Sequence, residues 1–86
     1  MKVQAAAISL QGVEFAVVLV GMDLVGQPGE ADMTIDTLRP RFGGVPVILM
    51  AQNEQGSPTY YGDQDIVTLL ADIPVDQMPW KEYSVG

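Results

Sequence analysis

The sequence predicts an α+β domain in ββαββα order, with a four-stranded mixed sheet and two helices packed on one face. Three observations carry this reading. Two runs rich in β-branched and apolar residues, Val3 to Leu10 and Val13 to Val20, are separated only by the turn pair Gln11-Gly12. An apolar stripe, Ala31, Ile35, Leu38 and Phe42, recurs at i, i+4, i+7 and i+11, the period of a helix lying on a sheet. Gly43-Gly44 then precedes an uncharged aliphatic run, Val45 to Ala51, which is what a strand buried on both faces requires. The 86 residues have room for one domain and one core, and a single α+β domain over residues 1–86 is expected.

Taken in order, Val3 to Leu10 and Val13 to Val20 make a hairpin. The triple alanine, Ala5 to Ala7, would also suit a helix, but the turn signal and the β-rich run that follow decide for a strand. Gly21 to Gly29 reads as a linker with Met22, Leu24 and Val25 as loop anchors. The first helix follows, with Glu30 and Asp32 at its start and Arg39 and Arg41 at its end, as the helix dipole favours. Pro40 disturbs its last turn, and Gly43-Gly44 gives the left-handed exit.

Pro46 lacks an N–H, so the ladder of the third strand starts near Val47. Asn53 to Gly56 has the residues of a type I turn, and Pro58 to Tyr61 returns beside the third strand. Asp63 caps a second helix whose buried stripe is Ile66, Leu69, Leu70 and Ile73, halted by Pro74. The tail, residues 75–86, is too apolar at Met78, Trp80 and Tyr83 to be a free end and is expected to pack back. The preferred strand order is 1-2-3-4, with 2-1-3-4 second.

Composition bounds the function. Four basic residues face eleven acidic ones, a net charge of -7, and the basic side chains make no cluster beyond Arg39 and Arg41, so no nucleic acid partner is expected. The same charge argues against an anionic membrane surface, and Phe15 to Met22 is too short an apolar run to span a bilayer, which needs about 20 residues. The N-terminal run is not expected to be a signal peptide, since Gln4 and Ser9 interrupt it, and a cytoplasmic protein is expected. There is no cysteine and no histidine, which removes disulfides, thiol chemistry, Cys/His zinc sites and the usual general base. No cofactor is expected.

Asp63 and Asp65 form an Asp-x-Asp pair and are the candidate cation ligands. They lack the continuation of a calcium loop, and a helix N-cap explains them better. The glycine pairs match neither phosphate-binding fingerprint, and Ser9, Ser57 and Ser84 have no histidine to activate them. Asp32 and Asp36 share one helix face, read as solvated.

With both helices on one face, the other face of the sheet would be bare. Ala6, Ile8, Leu10, Ala16, Val18, Val20, Ile48 and Met50 form one apolar set and Val13, Phe15, Val17, Leu19, Val47 and Leu49 the other; either can lie under the helices, which leaves the other exposed. Monomers rarely expose such patches. A homodimer is the first expectation, coverage by the tail the second and a different protein the third. The interaction residues expected on this basis are Ile8, Val18, Val20, Ile48, Met50, Tyr60, Tyr61, Trp80 and Tyr83. The reading is a small non-enzymatic interaction or self-associating module. The alternative is a small-ligand or metal-binding domain or enzyme using carboxylates near the start of the second helix.

Gly44-Val45-Pro46-Val47-Ile48-Leu49, Tyr60-Tyr61-Gly62 and the helix from Asp65 through Leu70 resemble the C-terminal half of a thioredoxin-like domain. The resemblance covers about a third of the chain and implies a strand–turn–strand–helix order, with a proline opening the first strand. The Cys-x-x-Cys of that family is missing, so no activity is implied.

Overall fold

Alternating side chains in the N-terminal runs produce the hairpin. In the computed structural model, which describes residues 2–84, β1 (Lys2–Leu10) and β2 (Val13–Leu19) pair antiparallel from Ala5↔Val18 to Leu10↔Val13. Gln11 (φ 53°) and Gly12 (φ 79°) are both left-handed, the type I′ geometry whose twist matches the strands it joins.

The stretch read as a linker contains one helical turn, α1 (Met22–Val25), and the first residues of α2 (Pro28–Leu38). Pro28 opens α2 where a missing N–H costs nothing. Pro40 does not break the chain away from the helix. The last turn tightens to 3₁₀ geometry over Arg39–Phe42 and exits at Gly43 (φ 75°).

Next comes β3 (Val47–Gln52), parallel to β2 from Ala16↔Val47 to Leu19↔Met50. Pro46 contributes only its carbonyl, which accepts the Ala16 N–H at 2.9 Å. Asn53 Oδ1 accepts the N–H groups of Gln55 and Ser57, both at 2.9 Å, and so fixes the turn into β4 (Pro58–Tyr61), antiparallel to β3. Asp63 caps α3 (Gln64–Leu70), its Oδ1 accepting the Asp65 N–H at 2.9 Å. The strand–turn–strand–helix order that the resemblance implied is present here.

Three expectations are corrected. The sheet has five strands, not four: after Pro74 and a 3₁₀ turn (Val75–Gln77), β5 (Trp80–Ser84) pairs antiparallel with β1, from Lys2↔Ser84 to Ala6↔Trp80. The strand order is β4-β3-β2-β1-β5, which keeps 1-2-3-4 and adds β5 outside β1. The helices also lie on opposite faces. Ala31 and Leu38 of α2 pack with Ala5, Ala16, Val18, Val47 and Leu49, whereas Ile66 and Leu70 of α3 pack with Ala6, Phe15, Val17, Ile48 and Met50. The physical reason is the position of β5. The chain must travel from β4 at one edge to β5 at the other, and it lays α3 and Met78 across the face that α2 leaves open.

The same register corrects the grouping of the strands. Ala16 and Val18 lie on the face of Val47 and Leu49, not of Ile48 and Met50. All these residues are buried, so burial of β3 on both sides is achieved within one chain.

Gly62 follows β4 against β3. At φ 152°, a Cβ there would come within 2.6 Å of Ile48 Cδ1 and 3.3 Å of the Val47 carbonyl oxygen. Only glycine lets the chain turn into α3 this close to the sheet.

Candidate protein-interaction site

One part of the α2 face remains uncovered. A groove of about 650 Å³ runs between α2 and the hairpin. Val3, Val18 and Val20 line it from the hairpin side, Leu24 from α1, and Glu30, Met33, Thr34, Thr37 and Leu38 from α2. The hydroxyls in that wall are satisfied locally. Thr34 donates to the Glu30 carbonyl and Thr37 to the Met33 carbonyl, each at 2.9 Å, so both residues are free to present methyl groups to the groove. Met33 stands beside it 70% exposed, the most exposed of the large apolar side chains among the described residues.

α2 is anchored from its opposite side. The Tyr61 hydroxyl donates to Asp32 Oδ1 at 2.9 Å and lies 3.3 Å from the Pro28 carbonyl oxygen. The hydrogen bond to Asp32, then partial burial, then the carboxylate's charge raise the Tyr61 hydroxyl above its usual pKa. This fixes the start of α2 against β4.

The expected interaction residues do not share one surface. Ile48 and Met50 are buried on the α3 side and cannot meet a partner in the folded state, and Val18, also buried, lies beneath the groove. Ile8, Tyr60 and Trp80 are half-buried on the α3 side, while Val20, Tyr61 and Tyr83 are half-buried on the α2 side. Trp80 donates its indole N–H to the Val75 carbonyl at 2.8 Å, and Tyr83 packs edge-on against Phe42 with ring centroids 5.1 Å apart. Of the expected set, only Val18 and Val20 line the groove. Val3, Leu24, Met33, Thr34 and Thr37 were not anticipated. The available signal was Met33 itself, an apolar residue about 200° around the helix from Ala31.

The carboxylate alternative has less to work with. Asp63 is engaged as the cap of α3. A smaller hollow of about 310 Å³ gathers Asp32, Arg39 and Asp63, but Asp65 does not line it. Among the described residues, no group of three His, Cys, Asp or Glu side chains is arranged to hold a metal ion. A third hollow, about 790 Å³, opens between the β3–β4 turn and the end of α3, lined by Gln52, Tyr60, Asp72, Asp76 and Trp80 among others. The Tyr60 hydroxyl is sealed from solvent without a hydrogen-bond partner, and burial raises its pKa. Among the described residues, no helix is long and apolar enough to cross a membrane. Comparison with family models, curated proteins and solved structures finds no match.

Proposed function

We propose that this chain is a non-enzymatic protein-interaction module that docks through the groove between α2 and the β1–β2 hairpin. The observation that carries the reading is the exposed Met33 beside an apolar groove whose two threonine hydroxyls are already satisfied. Such a surface gains from losing water, and Glu30 is the one side chain in it that asks a partner for a new polar contact. Side chains suited to proton transfer or nucleophilic attack do not converge there; Glu30 is the one ionisable residue in its lining.

The test is Met33→Asp. At 70% exposure this change leaves the core untouched, and the melting temperature is expected to hold. Self-association, or retention of a host protein on the immobilised chain, is expected to be lost. A Met33→Asp chain that keeps every association of the wild type sinks the reading.

A further inference from the structure

We infer that the occupant of the α2 groove is a second copy of this chain, with its own α2 lying antiparallel beside the first across a two-fold axis. This rests on the groove being a docking site, and three observations point to a copy rather than to another protein.

The first is space. Five strands about 4.8 Å apart make a sheet roughly 19 Å wide, and helices pack about 8–10 Å apart, so each face has room for two helices. The α2 face carries one eleven-residue helix and the single turn α1. The groove is therefore a helix-sized slot alongside α2. Two-fold pairing requires knob and hole on the same surface, and Met33 is a knob at the lip of its own groove. The wall residues Thr34 and Thr37 are small enough for a close helix–helix approach.

The second is charge. Along α2 and its 3₁₀ extension the order is Glu30 and Asp32 first, Arg39 and Arg41 last. Antiparallel pairing centred between Ile35 and Asp36 brings Glu30 opposite the partner's Arg41, and the reciprocal pair forms by symmetry. The same register sets Met33 over the partner's Leu38 and Thr34 opposite the partner's Thr37. Among the described residues the one ion pair is Lys2–Glu82, at 3.4 Å, so Glu30 and Arg41 are both free to pair.

The third is that the sheet edges are guarded. β4 is short and begins with Pro58, and β5 carries Lys81 and Glu82 at its middle. Two β5 strands pairing about either middle residue would set like charge on like charge. Edge-to-edge pairing is thereby disfavoured, and the α2 face, with its exposed Met33, is the surface that fits a copy.

The experiment is charge exchange followed by sedimentation equilibrium in about 0.15 M salt at chain concentrations up to about 100 µM. The wild type is expected at twice its 9.3 kDa mass. Glu30→Arg and Arg41→Glu, each with wild-type circular dichroism and melting temperature, are expected to weaken the dimer by roughly tenfold or more. An equimolar mixture of the two is expected to regain dimer mass, because the heterodimer makes two opposite-charge pairs. A wild type that stays at single mass, single variants that dimerise like the wild type, or a mixture that stays monomeric would each overturn the second copy. A monomeric wild type that binds a foreign protein through Met33 overturns only this inference and leaves the docking reading standing. If Met33→Asp changes no association of any kind, the docking reading falls with it.

Discussion

Adjacent tyrosines in β4 sit in opposite environments because a strand sends successive side chains to opposite faces. Tyr61 is held by Asp32, whereas Tyr60 buries a hydroxyl with no partner. An unpartnered buried hydroxyl costs about 1–3 kcal/mol, so Tyr60→Phe is expected to leave stability unchanged or raise it. Tyr61→Phe removes a made bond and is expected to lower the urea midpoint. The two hydroxyls also predict an alkaline response. Both are raised above the usual tyrosine value, Tyr60 by burial and Tyr61 mainly by its hydrogen bond to Asp32. The folded state therefore holds these protons after the unfolded chain has begun to lose them. Stability from this source is full below pH ~10 and falls as pH rises through the raised folded values. Urea unfolding from pH 8 upward checks the sign, and Tyr61→Phe is expected to flatten the decline. A steric prediction belongs beside these. Gly62→Ala drives a methyl against Ile48 and the Val47 carbonyl at a backbone angle that disfavours alanine, and is expected to cost about 1–3 kcal/mol in the same assay.

β5 is the element that decides the architecture. It closes the edge of β1 and draws α3 across the sheet, yet its own edge must not invite further strands. Lys81 and Glu82 perform that second task, and their replacement together by valine is expected to produce larger assemblies by light scattering at concentrations where the wild type shows none. Wild-type scattering from that double variant would show that the two charges do not guard the edge. The hairpin, α2, β3, β4 and α3 were legible in the sequence because each carries its own period or its own stop residue: Gln11-Gly12, the Ala31–Leu38 stripe, Pro46, Asn53, Asp63. β5 was not, because a five-residue stretch with two charges has too weak an alternation to name its partner strand. The expectation of both helices on one face rests on right-handed crossovers after each hairpin, but α3 leads to β5, which runs antiparallel to β4 at the far edge, so that rule does not fix its side. The aliphatic residues of β2 and β3 need cover on both faces, and that need is plain in the sequence. What covers them was a question of register, and Ala16↔Val47 pairing is a long-range fact that no local pattern contains. Met33 escaped for the converse reason, because it departs from the stripe that identified its helix.

At the scale of the whole molecule, the net charge of -7 sets how a dimer through α2 responds to salt. The chain measures 30 × 29 × 23 Å, so two copies packed through their thin dimension have centres about 23 Å apart. Coulomb repulsion between two such charges in water, screened over about 30 Å in 0.01 M salt, is about 4 kcal/mol; screened over about 8 Å in 0.15 M salt it is about 0.5 kcal/mol. The two Glu30–Arg41 pairs are exposed at the rim and contribute at most about 1 kcal/mol each. Repulsion therefore changes more with salt than attraction does. The dimer is expected to tighten as salt rises from 0.01 to 0.15 M, by roughly two orders of magnitude in Kd. Above that range both effects are screened, and the apolar contact of Met33 with the opposing groove is what remains, so affinity levels off. This sign is the reverse of that for a basic partner, whose attraction to the acidic chain weakens steadily with salt. Sedimentation equilibrium at 0.01, 0.15 and 1 M salt reads the difference directly. A monotonic loss of association with salt would mean that opposite charges, not a shared apolar groove, bring the chains together.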